Sequence, residues 1–261
     1  MESLAVLAET AVAAARAGGS IVASAEAAGH AEEGRRAKAS GDYVTEWDLA
    51  SERAIREALS GSGIPVLGEE TGGADSAERY WAVDPIDGTT NFLHNFVAVG
   101  VSVALIETGE PVIGAVHAPF LERTWVGWRG GGAWSGERRL RVSSRAVGSA
   151  VLGTGFPFRR KENVPRYVDA FRRAFERFED LRRPGAASLD LAWVAEGIFD
   201  GFFELGLATW DVAAGALLIR EAGGVVTDWT GDDRAWLESG DILAGPPAIH
   251  EALVEVVAPD A

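Results

Sequence analysis

With 261 residues, 47% apolar content and no cysteine, the chain has material for one large core or two closely packed subdomains, and disulfides and thiolate metal sites are excluded. Its formal net charge of −15 repels phosphate backbones and argues against general nucleic-acid binding, and no run of about 18 uninterrupted apolar residues predicts a membrane span. The histidines at 30, 94, 117 and 250 show no ligand spacing, so any metal is expected on oxygen ligands, which favours Mg²⁺, Ca²⁺ or Mn²⁺.

The opening residues, MESLAVLAETAVAAARAGG, carry Glu2 and Glu9 where a signal peptide places positive charge. Residues 2–28 are therefore expected to form an Ala-rich helix of a cytoplasmic protein, weakened at Gly18-Gly19. Residues 30–44 are charged and contain glycine, which predicts a loop. A second helix is expected from about Thr45 to Leu59, then a short buried strand at IPVLG, 64–68. After WAVDPIDGTTNF (81–92) come three strand-like stretches, 97–107, 111–119 and 123–130, joined by Thr-Gly-Glu-Pro and Pro-Phe-Leu-Glu turns. Glycines at 130–132 and 136 punctuate one more hairpin. The character then changes. Val164, Val168, Phe171, Phe175 and Phe178 recur at helical spacing, predicting a helix over 164–178. Helices at 188–198, 211–222 and 247–257 then alternate with strands at 201–205, 224–228 and 241–245. The fold class read from this is α+β passing into α/β: N-terminal helices with an antiparallel sheet over 1–145, packed on an α/β half over 146–261.

Carboxylates stand at several element ends: Asp48, Glu69, Asp84 with Asp87, Glu204 and Asp211. Most have an ordinary alternative. Thr45-x-x-Asp48 fits a capping box, Asp211 suits a helix N-terminus, Glu69-Glu70 fits a solvated turn, and Glu204 a strand-end surface charge. Asp84 and Asp87 are harder to explain so. Pro85 turns the chain sharply, and both carboxylates fall at the mouth of one apolar strand. Two close carboxylates raise each other's pKa unless a cation screens them. A divalent ion does so, and Asp84 is placed to bridge two, as in two-metal phosphoryl transfer. Gly88 lets backbone approach closely. A helix beginning near Thr89 would offer N–H groups to a phosphate, and the Thr89 hydroxyl can orient a water.

GEE (68–70), WAVDPIDGTTNF (81–92) and WDVAAG (210–215) resemble the signature motifs of the inositol monophosphatase family. KASGDYVTEWD (38–48), GGGAWSGE (130–137), PGAASLDLAWVAEGIFDGFFE (184–204) and EAGGVV (221–226) support the resemblance, which spans nearly the whole chain. It implies a Mg²⁺-dependent, lithium-sensitive phosphatase with a layered αβαβα fold, often a homodimer, carrying two or three Mg²⁺ ions that Mn²⁺ can replace. Carried over by position, Glu69, Asp84 and the carbonyl of Ile86 would hold a first metal, and Asp84, Asp87 and Asp211 a second. Glu69 and Thr89 would activate water with support from Asp48. The backbone of Gly88 and Thr89 would receive the phosphate, and Glu204 would bind hydroxyls of the alcohol half. Gly185, Ala186 and Ala187 would lie at the substrate. There the family usually has Ser or Thr before the Ala-Ala pair, so one sugar-side hydroxyl is missing.

These features favour hydrolysis of a small phosphorylated polyol or sugar, with inositol 1-phosphate as first choice and fructose 1,6-bisphosphate as runner-up, alone or as a second activity. Histidinol phosphate and NADP rank lower. A non-catalytic regulator binding a phosphorylated ligand is the competing class. Retention of every expected metal ligand weighs against it.

Overall fold

The computed structural model describes residues 3–27, 36–39, 42–73 and 77–258. The first half opens with α1 (Leu4–Ala27), a hairpin of β1 (Arg36–Ala39) and β2 (Asp42–Val44), and α2 (Glu46–Leu59). The hairpin replaces part of the loop expected over 30–44; residues 30–35, 40 and 41 lie outside the described residues. A seven-stranded sheet follows in sequence order: β3 (Val66–Gly68), β4 (Arg79–Asp87), β5 (Gly100–Glu107), β6 (Glu110–Ala118), β7 (Arg123–Trp128), β8 (Gly132–Ser135) and β9 (Arg138–Arg139). β3 runs parallel to β4 and is only half-buried at Val66 and Leu67; every later pairing is antiparallel. A short α3 (Thr89–Leu93) interrupts the path from β4 to β5.

The second half alternates β10 (Val151–Thr154), α4 (Val164–Arg177), β11 (Asp180–Arg182), α5 (Ala187–Glu196), β12 (Gly201–Glu204), α6 (Thr209–Glu221), β13 (Val225–Thr227), α7 (Trp236–Ser239), β14 (Ile242–Gly245) and α8 (Pro247–Val257). Its five-stranded sheet is ordered β11-β10-β12-β14-β13, with β14 antiparallel to both neighbours. Strands β10 and β11 carry weak apolar patterns and were not expected from the sequence.

Period-two alternation builds the layers. In β5, Val101, Val103 and Leu105 face a core shared with α1 and α2, whereas Ala104 and Ile106 face α5 and α6. In β12, Phe202 joins that central core and Phe203 the outer core against α4 and α8. The result is five layers: α1 and α2, the seven-stranded sheet, α5 and α6, the five-stranded sheet, α4 and α8. This is the layered αβαβα architecture expected from the sequence. Helix α1 is long and apolar enough over Leu4–Ala25 to cross a bilayer by length and composition, yet Leu7, Ala11, Ala14, Ala15 and Val22 are buried within the fold. Gly18-Gly19 does not break it. A Cβ at Gly18 would meet Ser51 Oγ at 2.7 Å, and one at Gly19 would meet His117 at 2.3 Å, so the pair permits close packing.

Helix α4 is present, but its apolar spacing marks its buried face only in part: Phe178 is buried and Phe171 half-buried against the outer core. Tyr167, Ala170 and Ala174 face inward, whereas Val164, Val168 and Phe175 are exposed, Phe175 by 73%.

Candidate active site

The site forms where β4 leaves the seven-stranded sheet. Asp84 and Asp87 straddle the register shift in the β4–β5 ladder, so the Asp-Pro-Ile-Asp corner departs from strand geometry there. The Ile86 N–H donates to Asp84 Oδ1 at 3.0 Å, and Ser51 Oγ donates to the Pro85 carbonyl at 2.9 Å, which anchors the corner to α2. Gly88 has φ +91°, a conformation that side chains resist, and a Cβ there would meet the Ala98 carbonyl at 2.9 Å. The chain then enters α3. Asn91 Nδ2 donates to the carbonyls of Ala98 (2.7 Å) and Pro184 (2.8 Å), tying the corner to the Gly185-Ala186-Ala187 segment.

Asp211 arrives from the other half of the chain, at the first turn of α6. Its Oδ2 accepts from the Ala208 N–H at 2.7 Å, the capping role anticipated for it, while Ser102 Oγ on β5 donates to the Trp210 carbonyl at 2.9 Å. One oxygen each of Asp84, Asp87 and Asp211 lies within 4.8 Å of the others, and all three residues are buried. Glu69 enters from a turn after β3 in which Gly68 and Gly72 exchange backbone hydrogen bonds. This turn is not merely solvated. The buried Glu52 accepts from the Glu70 N–H at 2.8 Å and from the Thr71 hydroxyl, and its own charge is met by Arg56 at 2.8 Å.

Asp48 caps α2 with one carboxylate oxygen and turns the other toward Thr89. Oδ2 closes the capping box with the Thr45 N–H (2.7 Å) and hydroxyl (2.6 Å), whereas Oδ1 faces Thr89 Oγ1 at 3.4 Å. Thr89 Oγ1 also lies 3.1 Å from the Ile86 carbonyl as a donor. With its single proton directed to one of these acceptors, the Thr89 oxygen keeps lone pairs free to accept from a water. Glu204 ends β12 and needs the absence of a side chain at Gly155, where a Cβ would come within 2.0 Å of its carboxylate.

The electrostatics follow from crowding. Two unit charges about 4 Å apart repel by about 4 kcal/mol at an effective dielectric of about 20. Burial, then Glu69, Asp87 and Asp211, push the Asp84 carboxyl well above the carboxylate range. Burial pushes Asp87 up to about 6 despite two opposing hydrogen bonds from Ser188. Burial and the charge of Asp87 push Asp211 up to about 7, and burial with Asp211 pushes Glu204 up to about 8, opposed by Arg183 and Arg159. A cation among these oxygens would reverse the sign of each effect. The donor set is all oxygen, hard and anionic, and fits a divalent ion of the Mg²⁺ or Mn²⁺ kind.

The cleft around this cluster has a volume of about 390 Å³ and brings Glu69, Asp84, Asp87, Gly88, Thr89 and Glu204 to one surface. That is within the range of about 300–1,000 Å³ usual for small-molecule sites. Gly185 and Ala187 also line it, while Ala186 is buried behind, in contact range of Gly88. A larger depression of about 590 Å³ near Arg173 and Glu255 gathers no comparable acid cluster.

A family model for the inositol monophosphatase family matches residues 3–259. The chain belongs to the inositol monophosphatase family. It is 46% identical over 226 residues to an inositol-1-monophosphatase of Rhizobium meliloti, covering 84% of each chain. It is 44% identical over 228 residues to the Nus factor SuhB of Pseudomonas aeruginosa, covering 84% of this chain and 83% of that one. Among solved structures, the extragenic suppressor protein suhB from Bartonella henselae superposes with a TM-score of 0.91 at 34% identity, over 98% of this chain and 100% of that one. The inositol monophosphatase from Anabaena superposes with a TM-score of 0.85 at 33% identity, over 97% and 96%. Membership of this family makes the chain a phosphomonoesterase.

Four features of the site escaped the sequence. Ser188 donates to Asp87 Oδ2 from its N–H (2.7 Å) and its hydroxyl (2.5 Å), across 101 positions. Asn91 stood inside the motif without an assigned role. Asp190 is buried beside Glu204 and Asp87 with Oδ1 unpartnered, and burial pushes its carboxyl well above the usual range. Arg159, Arg160 and Arg183 line the cleft. The run AASLD offered the only local signal for Ser188 and Asp190, two polar residues at the start of a helix that is apolar from Leu191 to Ala195.

Proposed function

We propose that the cleft hydrolyses a small phosphomonoester, inositol 1-phosphate first, with two or three Mg²⁺ ions that Mn²⁺ can replace. The observation that carries this reading is the buried triad Asp84, Asp87 and Asp211, with Thr89 and its Asp48 partner beside it. Glu69, Asp84 and the Ile86 carbonyl would hold one ion, and Asp84, Asp87 and Asp211 another. Bound there, the ions would lower the pKa of a water and offset charge on the phosphoryl oxygens. Thr89 and Glu69 orient the attacking water, with Thr89 passing its proton toward Asp48. The N–H groups of Gly88 and Thr89 take the phosphate oxygens. The ester P–O bond breaks as the water oxygen bonds to phosphorus, and the leaving oxygen takes its proton from a solvent water in the open cleft. Glu204 accepts hydrogen bonds from polyol hydroxyls, across the cleft from Gly185 and Ala187, with Ala186 buried behind them. In this scheme residues 1–145 supply every ligand except Asp211, which comes with Glu204 from residues 146–261.

The same reading makes the protein a cytoplasmic homodimer inhibited by Li⁺. The outward-facing Val164, Val168 and Phe175 of α4 support self-association; a single-protomer mass by light scattering would remove that part. A Li⁺ dose series that leaves turnover unchanged would remove the other.

The competing reading is a non-catalytic one, prompted by the Nus factor name of the Pseudomonas aeruginosa relative. Phosphate release from inositol 1-phosphate, followed with Mg²⁺ and with excess chelator, separates them. Release that requires Mg²⁺ is the expected result. Ligand affinity with no turnover at any Mg²⁺ concentration would overturn the phosphatase reading.

A further inference from the structure

Among the proposed metal ligands, Glu69 alone is carried by a surface turn. It follows β3, a three-residue edge strand, and residues 69–73 are half-buried or exposed. The Glu69 N–H donates to the Val83 carbonyl at 3.2 Å, and Gly68 and Gly72 exchange backbone hydrogen bonds. Those bonds hold the ends of the turn. Its middle is gripped by Glu52, which lies on α2 one helical turn after Asp48 and is fully buried. Glu52 Oε2 accepts from the Glu70 N–H at 2.8 Å and Oε1 from the Thr71 hydroxyl, so its two oxygens take the two residues that follow Glu69. Arg56, one turn further on, donates from Nε to Glu52 Oε1 at 2.8 Å. It also donates from Nη1 to the Val66 carbonyl at 3.1 Å and from Nη2 to the Gly72 carbonyl at 2.8 Å. A Cβ at Gly68 would strike the Glu52 carboxylate, so the chain leaves room for this grip. On the same helix, Ser51 holds the Pro85 carbonyl and Asp48 faces Thr89. The Glu69 turn, the Asp84–Asp87 corner and Thr89 are thus all registered against α2. Neither Glu52 nor Arg56 lines the cleft. A buried ion pair is also a weak source of stability, so its placement calls for another reason.

We propose that Glu52, braced by Arg56, is the positioning residue of Glu69: it fixes the turn so that the Glu69 carboxylate is already in place for the ion it shares with Asp84. This rests on the phosphatase reading and adds a residue to the machinery of its metal site. A ligand on an unfixed turn loses conformational freedom when the ion binds, and that loss subtracts from affinity. With Glu52 in place the freedom is already lost on folding. Residues that orient metal ligands contribute about 10- to 100-fold in metal affinity or activity, and here the orientation passes through the backbone at Glu70 and the hydroxyl of Thr71. Asp84, Asp87 and Asp211 are fastened by other contacts, so the effect falls on the ion that Glu69 holds.

The test is calorimetric titration of Mn²⁺ into the metal-free full chain, with hydrogen exchange at the Glu70 amide in chelator as the second measurement. Glu52→Gln keeps the volume and removes the charge; Thr71→Val deletes one donor at an exposed position. Glu52→Gln is expected to weaken the ion held through Glu69 by about 10- to 100-fold, Thr71→Val to weaken it less, and the ion on Asp87 and Asp211 to change much less in both. Exchange at Glu70 is expected to be faster in Glu52→Gln. Raising Mg²⁺ is expected to restore turnover of inositol 1-phosphate toward the wild-type kcat, since Glu52 touches neither substrate nor ion. A purely structural role would lower Tm in chelator and leave both affinities at their wild-type values, and that result overturns the assignment. So does unchanged exchange at Glu70. If Glu52→Gln does not fold, Thr71→Val decides, and a wild-type affinity there overturns it. The titration needs no substrate, so a chain that binds Mn²⁺ and turns nothing over would sink the phosphatase reading and leave this test standing. If wild type binds no Mn²⁺, the metal reading fails by itself. Exchange at Glu70 then decides whether Glu52 holds the turn, and equal rates in wild type and Glu52→Gln overturn it.

Discussion

The floor and the rim of the cleft are opposites in charge, burial and construction. On the floor, Asp84, Asp87 and Asp211 are buried and fastened by backbone and side-chain hydrogen bonds from β4, α5 and the start of α6. On the rim, Arg159, Arg160 and Arg183 are exposed, and Arg160 and Arg183 rest on glycine backbone and aromatic rings. A buried cluster of like charge persists only if the fold compels it and a counter-ion rewards it. An exposed cluster costs the fold little and can vary freely. The floor is therefore where the shared chemistry is expected, and the rim is where one chain can differ from its relatives in what it accepts.

The sharpest way to break this contrast is at the floor. Asp84→Asn is expected to lower turnover of inositol 1-phosphate by roughly 10³-fold or more, since it removes the shared ligand. The fold should survive, because the substitution also removes repulsion. Circular dichroism with a Mg²⁺ titration of the rate checks both; near-normal turnover of folded Asp84→Asn at saturating Mg²⁺ would sink the two-metal account. Between floor and rim stands Glu204. Glu204→Ala is expected to lower kcat/KM for inositol 1-phosphate by roughly 10- to 150-fold, the worth of one or two charge-assisted hydrogen bonds. Glycerol 2-phosphate, too small to reach it, should lose much less, and equal losses on both substrates would assign Glu204 to the floor. Ser188→Ala removes one of two donors to Asp87. It is expected to raise the Mg²⁺ concentration for half-maximal rate by about 10-fold, the lower end of what outer-shell partners of metal ligands contribute. No change would mean that the Ser188 N–H alone suffices.

The smallest expected effects are on stability. Mg²⁺ at 100 times its dissociation constant contributes about 2.7 kcal/mol, or several degrees in Tm at about 2–4 °C per kcal/mol. A Tm that is the same in chelator and in Mg²⁺ would contradict binding to the folded cluster. The metal-free protein should also respond to pH. Asp87 and Asp211 rise from 3.8 to about 6 and about 7, and Glu204 from 4.5 to about 8. Between about pH 4 and pH 8 the folded state therefore holds more protons than the unfolded state, and stability falls as pH rises across that window. Thermal melts in chelator at several pH values read the slope, and Mg²⁺ should flatten it.

Much of the floor was legible in the sequence because one short segment carries it. Asp84, Asp87, Gly88 and Thr89 lie within six residues, and the proline and glycine between them dictate the turns. Asp211 was legible only through the family motif, since nothing local tells a helix cap from a cluster member, and the structure makes it both. What stayed hidden was long-range. Ser188 reaches Asp87 across 101 positions, and Arg160 meets Gly206 only because β10 and β12 pair in the same sheet. Helix α4 failed differently. Its apolar spacing announced a helix correctly, but Tyr167, Ala170 and Ala174 took most of the inward face with Phe171 and Phe178 beside them, leaving Val164, Val168 and Phe175 outside.

Anomalous diffraction from crystals grown with Mn²⁺ reads whether the buried carboxylates are a divalent-cation site. Anomalous density is expected within coordinating distance of Asp84, Asp87 and Asp211, with Asp84 between two peaks when Glu69 and the Ile86 carbonyl are also engaged, and is expected to be lost in Asp84→Asn. Ordered Mn²⁺ elsewhere on the protein with no density among these three side chains would contradict it.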